Sequence, residues 1–345
     1  MMKVRLYNVK DYRVERWRGF KNYFVYCVVF GECDPAYPVL QRTCNELGLN
    51  SEERYWLAFL YGTSYCGATA FYIFSKFPDF REINIQKLKE WWKENKHKLI
   101  FQTDRAKIKN FDQFVPCVVS YLSLVNDSQE DTFRRLRGKD KYETYRKCYE
   151  YFSHIKYFGA FSLFNYLELV EKLTGFGMLP DTIPLEVSES ARNGVCYMCS
   201  ADYMVTLHHK PPKNPIDYEH LYQQLHRMHY ELGEENRGLE VTFWNMETVL
   251  CAYKKLFWQT RYFGYYIDRQ LSEINEMKKK VKEIDWNMFH EFRIEYFHPF
   301  FLGEIGGWKG IRPQRTKIFM SYGTLISPFE EMPKIPSKFR VEVIE

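Results

Sequence analysis

The stretch Gly238–Lys282 constrains the fold more than any other part of the chain. Val249, Tyr253, Leu256, Phe263, Ile267, Leu271 and Ile274 recur at steps of three, four and seven. That is the period of one buried face of a long helix. Polar groups that a core does not need lie on that face or beside it: Trp244, Asn245, Glu247, Tyr262, Tyr266, Asp268 and Arg269. Glu247 and Lys254 are seven apart, so two helical turns bring them to nearly the same side. Asp268 and Arg269 are adjacent and must diverge. The stretch reads either as an amphipathic helix with a ragged polar edge or as a helix that carries a site.

A chain of 345 residues, 46% of them hydrophobic, can bury a full core as one large or two modest domains. No apolar run reaches the ~18 residues a membrane span needs, and the basic start lacks the apolar core of a secretory signal. The expected compartment is the cytosol of the cell that makes the protein. An odd number of cysteines, nine, scattered without a framework, fits a reducing compartment and small core residues. Cys196 and Cys199 form a close pair, but a structural zinc site wants a second pair or separated histidines, and His208 and His209 are adjacent. No metal or cofactor site is expected.

Aromatic residues make up 18% of the chain, enough to serve base stacking as well as packing. The net charge is only +5, yet Lys3–Lys21 and Arg134–Lys147 each hold seven Lys/Arg against two carboxylates. Such patches suit a DNA-acting enzyme that must release its product, and equally an ordinary solvated surface.

Residues 1–33 read as a strand or a short buried helix. A helix capped by Asn50 or Ser51 is predicted through Phe77 to a stop at Pro78, with small residues (Gly62–Ala70) in its middle that invite close approach of a backbone or ligand. Further helices are predicted at Ile85–Lys96, Phe111–Leu124, Tyr142–Tyr151 and Tyr218–Leu232. Ser128–Tyr142 reads as a polar loop or arm. Ile155–Gly159 followed by an apolar helix has the shape of a helix-hairpin-helix, whose glycine turn offers backbone N–H groups to a DNA phosphate; Lys156 and Gly159 are the candidate DNA contacts. Ser188–Gly194 reads as a polar loop capping a helix from Gly194. After Trp286 the helical period is lost, and FRVEVIE reads as a terminal strand. P-loop, GxSxG, HExxH and Rossmann fingerprints are missing, so no nucleotide kinase or serine hydrolase can be argued.

Three stretches, YWLAFLYGTSYCGATAFYIF, SESARNGVCYMC and FWNMETVLCAYKKLFWQTRYFGYYIDR, resemble the helical amino acid:DNA transferases of bacteriophages that hypermodify thymidine. Relatives of that family include the helical domain of phage 5-hydroxymethyluracil DNA kinases and the putrescinyl-thymine pyrophosphorylases, and the group is remotely similar to helix-hairpin-helix DNA glycosylases. The resemblance covers roughly residues 50–275. It implies a mainly α, DNA-glycosylase-like fold with a small irregular or β periphery: a basic extension over 1–49, a helical catalytic domain over 50–285 and a C-terminal extension over 286–345.

The implied reaction sets an amino acid, glycine or serine, against 5-pyrophosphoryloxymethyluracil in double-stranded DNA in the host cytoplasm, with pyrophosphate displaced by the amine. An extruded base needs aromatic walls, for which Trp244, Tyr262 and Tyr266 are candidates. The departing pyrophosphate needs cations or N–H groups, offered by Arg192, Gly194 and Arg269. A carboxylate must take the proton of the amine, offered by Glu247, Asp181 or Asp268. Asn193 and Tyr65 complete the expected substrate contacts. Asp181 follows Gly159 as the catalytic aspartate of a glycosylase follows its hairpin glycine. The segment after it is only loosely glycosylase-like, so Asp181 also reads as a helix cap. A glycosylase or pyrophosphorylase, and a non-catalytic DNA-binding protein, are the competing readings.

Overall fold

A computed structural model describes residues 13–101, 111–199, 215–257, 261, 263–302 and 337–338. The helices are α1 (Arg13–Val29), α2 (Ala36–Glu46), α3 (Ser51–Ser64), α4 (Gly67–Lys76) and α5 (Ile85–Asn95). They continue as α6 (Phe111–Val125), α7 (Gln129–Arg135), α8 (Lys141–Phe152), α9 (Ala160–Thr174) and α10 (Glu189–Cys199). The last are α11 (Tyr218–Glu235), α12 (Phe243–Phe257), α13 (Tyr265–Lys280), α14 (Asn287–Tyr296) and α15 (Pro299–Leu302). Among the described residues there is no strand, and the fold is mainly α.

Several sequence expectations are corrected. Of the two readings of residues 1–33, strand or short buried helix, Arg13–Val29 takes the helix and so is no β periphery, because Phe20, Tyr23, Phe24 and Cys27 fall at helical spacing and are all buried. The helix expected from Asn50 to Phe77 is two. Asn50 does cap the start, in a reciprocal capping box with Glu53, but Tyr65 takes a left-handed φ of 50° and ends α3. Gly238–Lys282 divides the same way into α12 and α13, with Gly264 at φ 89° just before the second helix. Ser128–Tyr142 is no arm, because the Ser128 side chain accepts from Asp131 N–H and starts α7. α10 begins at Glu189, so Ser190–Asn193 are helical, and Asn287–Tyr296 after Trp286 is helical too. FRVEVIE lies outside the described residues.

The chain divides into two compact units. In the unit built from Pro35–Pro180 and Gln270–Tyr296, α3 lies against α9. A Cβ on Gly62 would come within 2.6 Å of Phe158 and 2.9 Å of Tyr166. The small residue there serves helix packing. Around it Phe59 stacks on Tyr121 at 3.8 Å and Tyr55 on Phe133 at 4.5 Å. Buried Gln129 fixes the polar centre by accepting from the Tyr121 hydroxyl and donating to Glu52.

The other unit comprises Met1–Asp34, Asp181–Arg269 and Phe297–Glu345. There α1, α10 and α12 surround an aromatic centre: Tyr253 meets Phe20 and Tyr23 at 5.5 and 5.7 Å, and Phe263 meets Tyr23, Tyr26 and Phe301. Much of the aromatic surplus is therefore spent on packing. α11 is tied to α1 by Lys21–Glu235 at 2.8 Å and by the Trp17 indole N–H on Glu231 at 2.8 Å. All nine cysteines are free thiols, seven of them buried, as small core residues should be.

Candidate active site

Within this second unit, α10 and α12 approach until a side chain no longer fits between them. A Cβ on Gly194 would sit 2.5 Å from the Leu250 carbonyl oxygen and 2.8 Å from its Cβ. Gly194 is thus a packing glycine, and the contact brings the polar residues of both helices together.

On α12 a buried stripe runs Glu247, Cys251, Lys254, at helical positions i, i+4 and i+7. The Cys251 thiol donates to Glu247 Oε1 at 3.1 Å. Burial, and secondly the Glu247 charge, push that thiol up from its ordinary value, while Lys254 and Lys255 pull it down. The Lys254 ammonium, 2% exposed, donates to the Ser190 carbonyl at 2.5 Å, the Ser190 hydroxyl at 2.9 Å and the Cys251 carbonyl at 3.2 Å. These acceptors satisfy hydrogens of the buried amine that would otherwise be stranded out of water. Lys254 thereby fastens α12 to the first turn of α10. The sequence placed Lys254 beside Glu247, but its anchoring on Ser190 is a contact between residues 64 apart that no local pattern shows.

Two residues further along α10, buried Arg192 donates through Nη1 to the Tyr218 hydroxyl at 3.1 Å and the Leu185 carbonyl at 3.4 Å. Its Nε is buried and makes no hydrogen bond among the described residues. A buried guanidinium with an unused donor is costly in a finished core. Asn193 is buried beside it.

The start of α13 faces the same group of charges. Tyr266 is half-buried. Burial raises its phenol above the ordinary range; Arg261 and Arg269 oppose that, and Cys251 and Glu247 add to it. Arg261, Cys251, Arg269 and Glu247 therefore each lie within electrostatic reach of the Tyr266 hydroxyl. Arg261 stands 3.9 Å over the Tyr265 ring. Asp268 is fully buried in the first turn of α13, where a helix favours a negative charge. A second carboxylate escaped the sequence reading. Glu32, 1% exposed, accepts from the N–H groups of Tyr266 at 3.0 Å and Ile267 at 3.3 Å and so caps α13. Only its place just after a helix would have hinted at this.

The remaining candidates distribute as follows. Asp181 is half-buried at the chain's return into this unit. Trp244 is 1% exposed, its indole enclosed in the core. Tyr262 lies outside the described residues. Tyr65, Lys156 and Gly159 belong to the first-described unit. Tyr65 meets Tyr61 and Phe161 edge-on, Lys156 is exposed, and Gly159 precedes α9 with open space where a Cβ would be. The small-residue segment Gly62–Ala70 also falls in that unit, whereas Ser188–Gly194 and the described part of Trp244–Arg269 share one. Among the described residues no three His, Cys, Asp or Glu side chains are grouped to hold a metal ion, and no helix is long and apolar enough to cross a membrane.

A family model described as amino acid:DNA transferase matches residues 29–262. The chain is also similar to a serinyltransferase of Salmonella phage ViI, 28% identical over 294 residues that span 79% of this chain and 71% of that protein. Helical fold, buried acid and cations, and these matches define a transferase that acts on DNA. The chain belongs to the amino acid:DNA transferase family. The match runs from the end of α1 through α12, so Glu247, Lys254 and Arg192 lie within it, and Asp268 and Arg269 lie beyond it.

Proposed function

We propose that this transferase joins the amine of a free amino acid to 5-pyrophosphoryloxymethyluracil in double-stranded DNA. The amine nitrogen forms a bond to the exocyclic methylene as the bond from that carbon to the pyrophosphate oxygen breaks. The amine's proton passes to a carboxylate, and pyrophosphate leaves with the bonding electron pair. The observation that carries this reading is the buried stripe of Glu247, Cys251 and Lys254 on α12, packed against the α10 turn that carries buried Arg192, in a member of this family. Displacement of a polyanion needs positive charge at the departing oxygens and a base at the amine. Arg192 and Arg269 serve the leaving group, and Glu247 takes the proton, with Asp181 and Asp268 as the other carboxylates to test. Lys254 acts as a positioning residue by holding the α10 turn that carries Arg192. Tyr266 provides a wall for the extruded base. The relative named for serine makes serine the first donor to test, with glycine second.

The test is to incubate the protein with duplex DNA carrying the pyrophosphorylated base and a mixture of amino acids, then weigh the released nucleosides. A nucleoside carrying one amino acid in place of pyrophosphate supports the reading; abasic sites would indicate a glycosylase instead, and unchanged DNA would leave only binding. Arg192→Ala and Arg269→Ala should each lower turnover by ~3 kcal/mol, about a hundredfold, while affinity for unmodified DNA changes far less. Turnover and DNA binding lost in equal proportion would make both arginines plain phosphate contacts. Wild-type rates in Glu247→Gln, Asp181→Asn and Asp268→Asn alike would remove the carboxylate base.

A further inference from the structure

We propose that the turn joining α7 to α8 is a docking surface for the phosphate backbone of duplex DNA. The inference rests on the DNA substrate of the reading above, but concerns a surface in the other unit. Arg135, Arg137, Lys139 and Lys141 alternate along this turn, and all four are exposed. Between Arg134 and Lys147 basic residues exceed acidic ones by five, as much as the net charge of the entire chain.

The neighbouring carboxylates are turned back into the chain. Asp140 Oδ1 accepts from Tyr142 N–H at 2.9 Å and Glu143 N–H at 2.8 Å, bonds that hold its carboxyl below the usual range. Glu143 Oε2 accepts from Lys139 N–H at 3.0 Å, and the same carboxylate pairs with Lys147 at 3.2 Å. Glu130 and Asp131 pair with Arg134 at 3.1 and 2.7 Å. In each case the bond that satisfies the acid is local, and the four alternating cations are left facing solvent.

The turn is also tied down by hydrogen bonds and a ring contact. Gly138 N–H donates to the Thr144 hydroxyl at 3.0 Å, and that hydroxyl donates to the Asp140 carbonyl at 2.7 Å. A Cβ on Gly138 would lie 2.7 Å from Glu143 Cβ, so only glycine lets the chain fold back this closely. Leu179 N–H holds the Lys141 carbonyl at 3.1 Å, and the Arg137 guanidinium rests 4.7 Å over the Phe176 ring. Cations on a fixed turn lose less entropy on binding than cations on a loose arm. Exposed cations hold a single small anion poorly in water, whereas a polyanion rewards each contact by releasing condensed counterions. The chemistry therefore favours duplex DNA, bound without regard to sequence.

The experiment measures affinity for an unmodified duplex against salt concentration by fluorescence anisotropy, using the full chain. Each lost phosphate contact should make the slope of log K against log salt shallower by about 0.9, so Lys139→Gln/Lys141→Gln should lose about 1.8. Adding Arg135→Gln and Arg137→Gln should lose about 3.6. The lysine pair stands alone as a test should removal of the Arg137 stack impair folding. The control is Lys87→Gln/Lys89→Gln/Lys93→Gln/Lys96→Gln, exposed positions on or next to α5 of the same unit, expected to keep the wild-type slope. A wild-type slope in the lysine pair, or an equal loss in the α5 control, overturns the proposal. If the wild type transfers nothing yet the slopes shift as stated, the proposed reaction fails and the docking surface stands.

Discussion

Replacing Gly194 with alanine tests the packing on which the candidate site is built. The added Cβ would meet the Leu250 carbonyl oxygen at 2.5 Å, 0.9 Å short of the 3.4 Å where ordinary contact begins. The Leu250 carbonyl carbon would stand at 2.9 Å. Both are backbone atoms of α12, so no rotamer change relieves the clash and the two helices must part. Overpacking that forces backbone to shift costs ~1–3 kcal/mol. Alanine returns up to ~1 kcal/mol of helix propensity over glycine, which leaves a net loss of up to ~2 kcal/mol. Gly233 in α11 is the internal control, because nothing lies within 4 Å of its Cβ position. Gly233→Ala should gain up to ~1 kcal/mol. Urea unfolding gives the two signs, and amide hydrogen exchange localises them: Gly194→Ala should speed exchange in α10 and α12 and leave α3 and α9 as they were. Gly194→Ala as stable as Gly233→Ala would refute the close approach, and with it the alignment of Arg192, Lys254 and Glu247.

Glu32→Gln removes the charge that caps α13, and the buried position makes a loss of ~1–2 kcal/mol the expected result; an unchanged denaturation midpoint would show that the cap carries no weight. His290 on α14 has its pKa lowered by burial, then by Arg293 and Lys278. The unfolded chain binds the proton first as pH falls, so His290 leaves full stability above about pH 6.5 and subtracts from it below, until the native imidazole also protonates. His290→Gln should flatten the fall in melting temperature between about pH 6.5 and 5; an identical slope in both proteins would refute the burial effect.

What the sequence determined was local. Helical period, a cap such as Asn50, and the stops at glycine and proline follow from backbone and neighbouring side-chain chemistry, and they are enough to place most helices. The equal face of Glu247 and Lys254 on α12 is a matter of 3.6 residues per turn and was legible for the same reason. The sequence could not decide where a long apolar pattern breaks, because a residue such as Tyr65 enters left-handed space only when its surroundings offset the cost of roughly 1–2 kcal/mol. It could not tell that Ser190–Asn193 lie inside α10, since the same polar residues serve a loop equally well. It gave Gly194 as an N–H donor and Trp244 as a stacking platform, and the structure packs one against Leu250 and encloses the other. Tertiary structure alone decided that Lys254 reaches Ser190 and that Glu32 caps α13, contacts across 64 and 234 residues of chain. Those pairings depend on which helix faces come together, and that is settled by the summed packing of the whole unit, to which no short stretch of sequence has access.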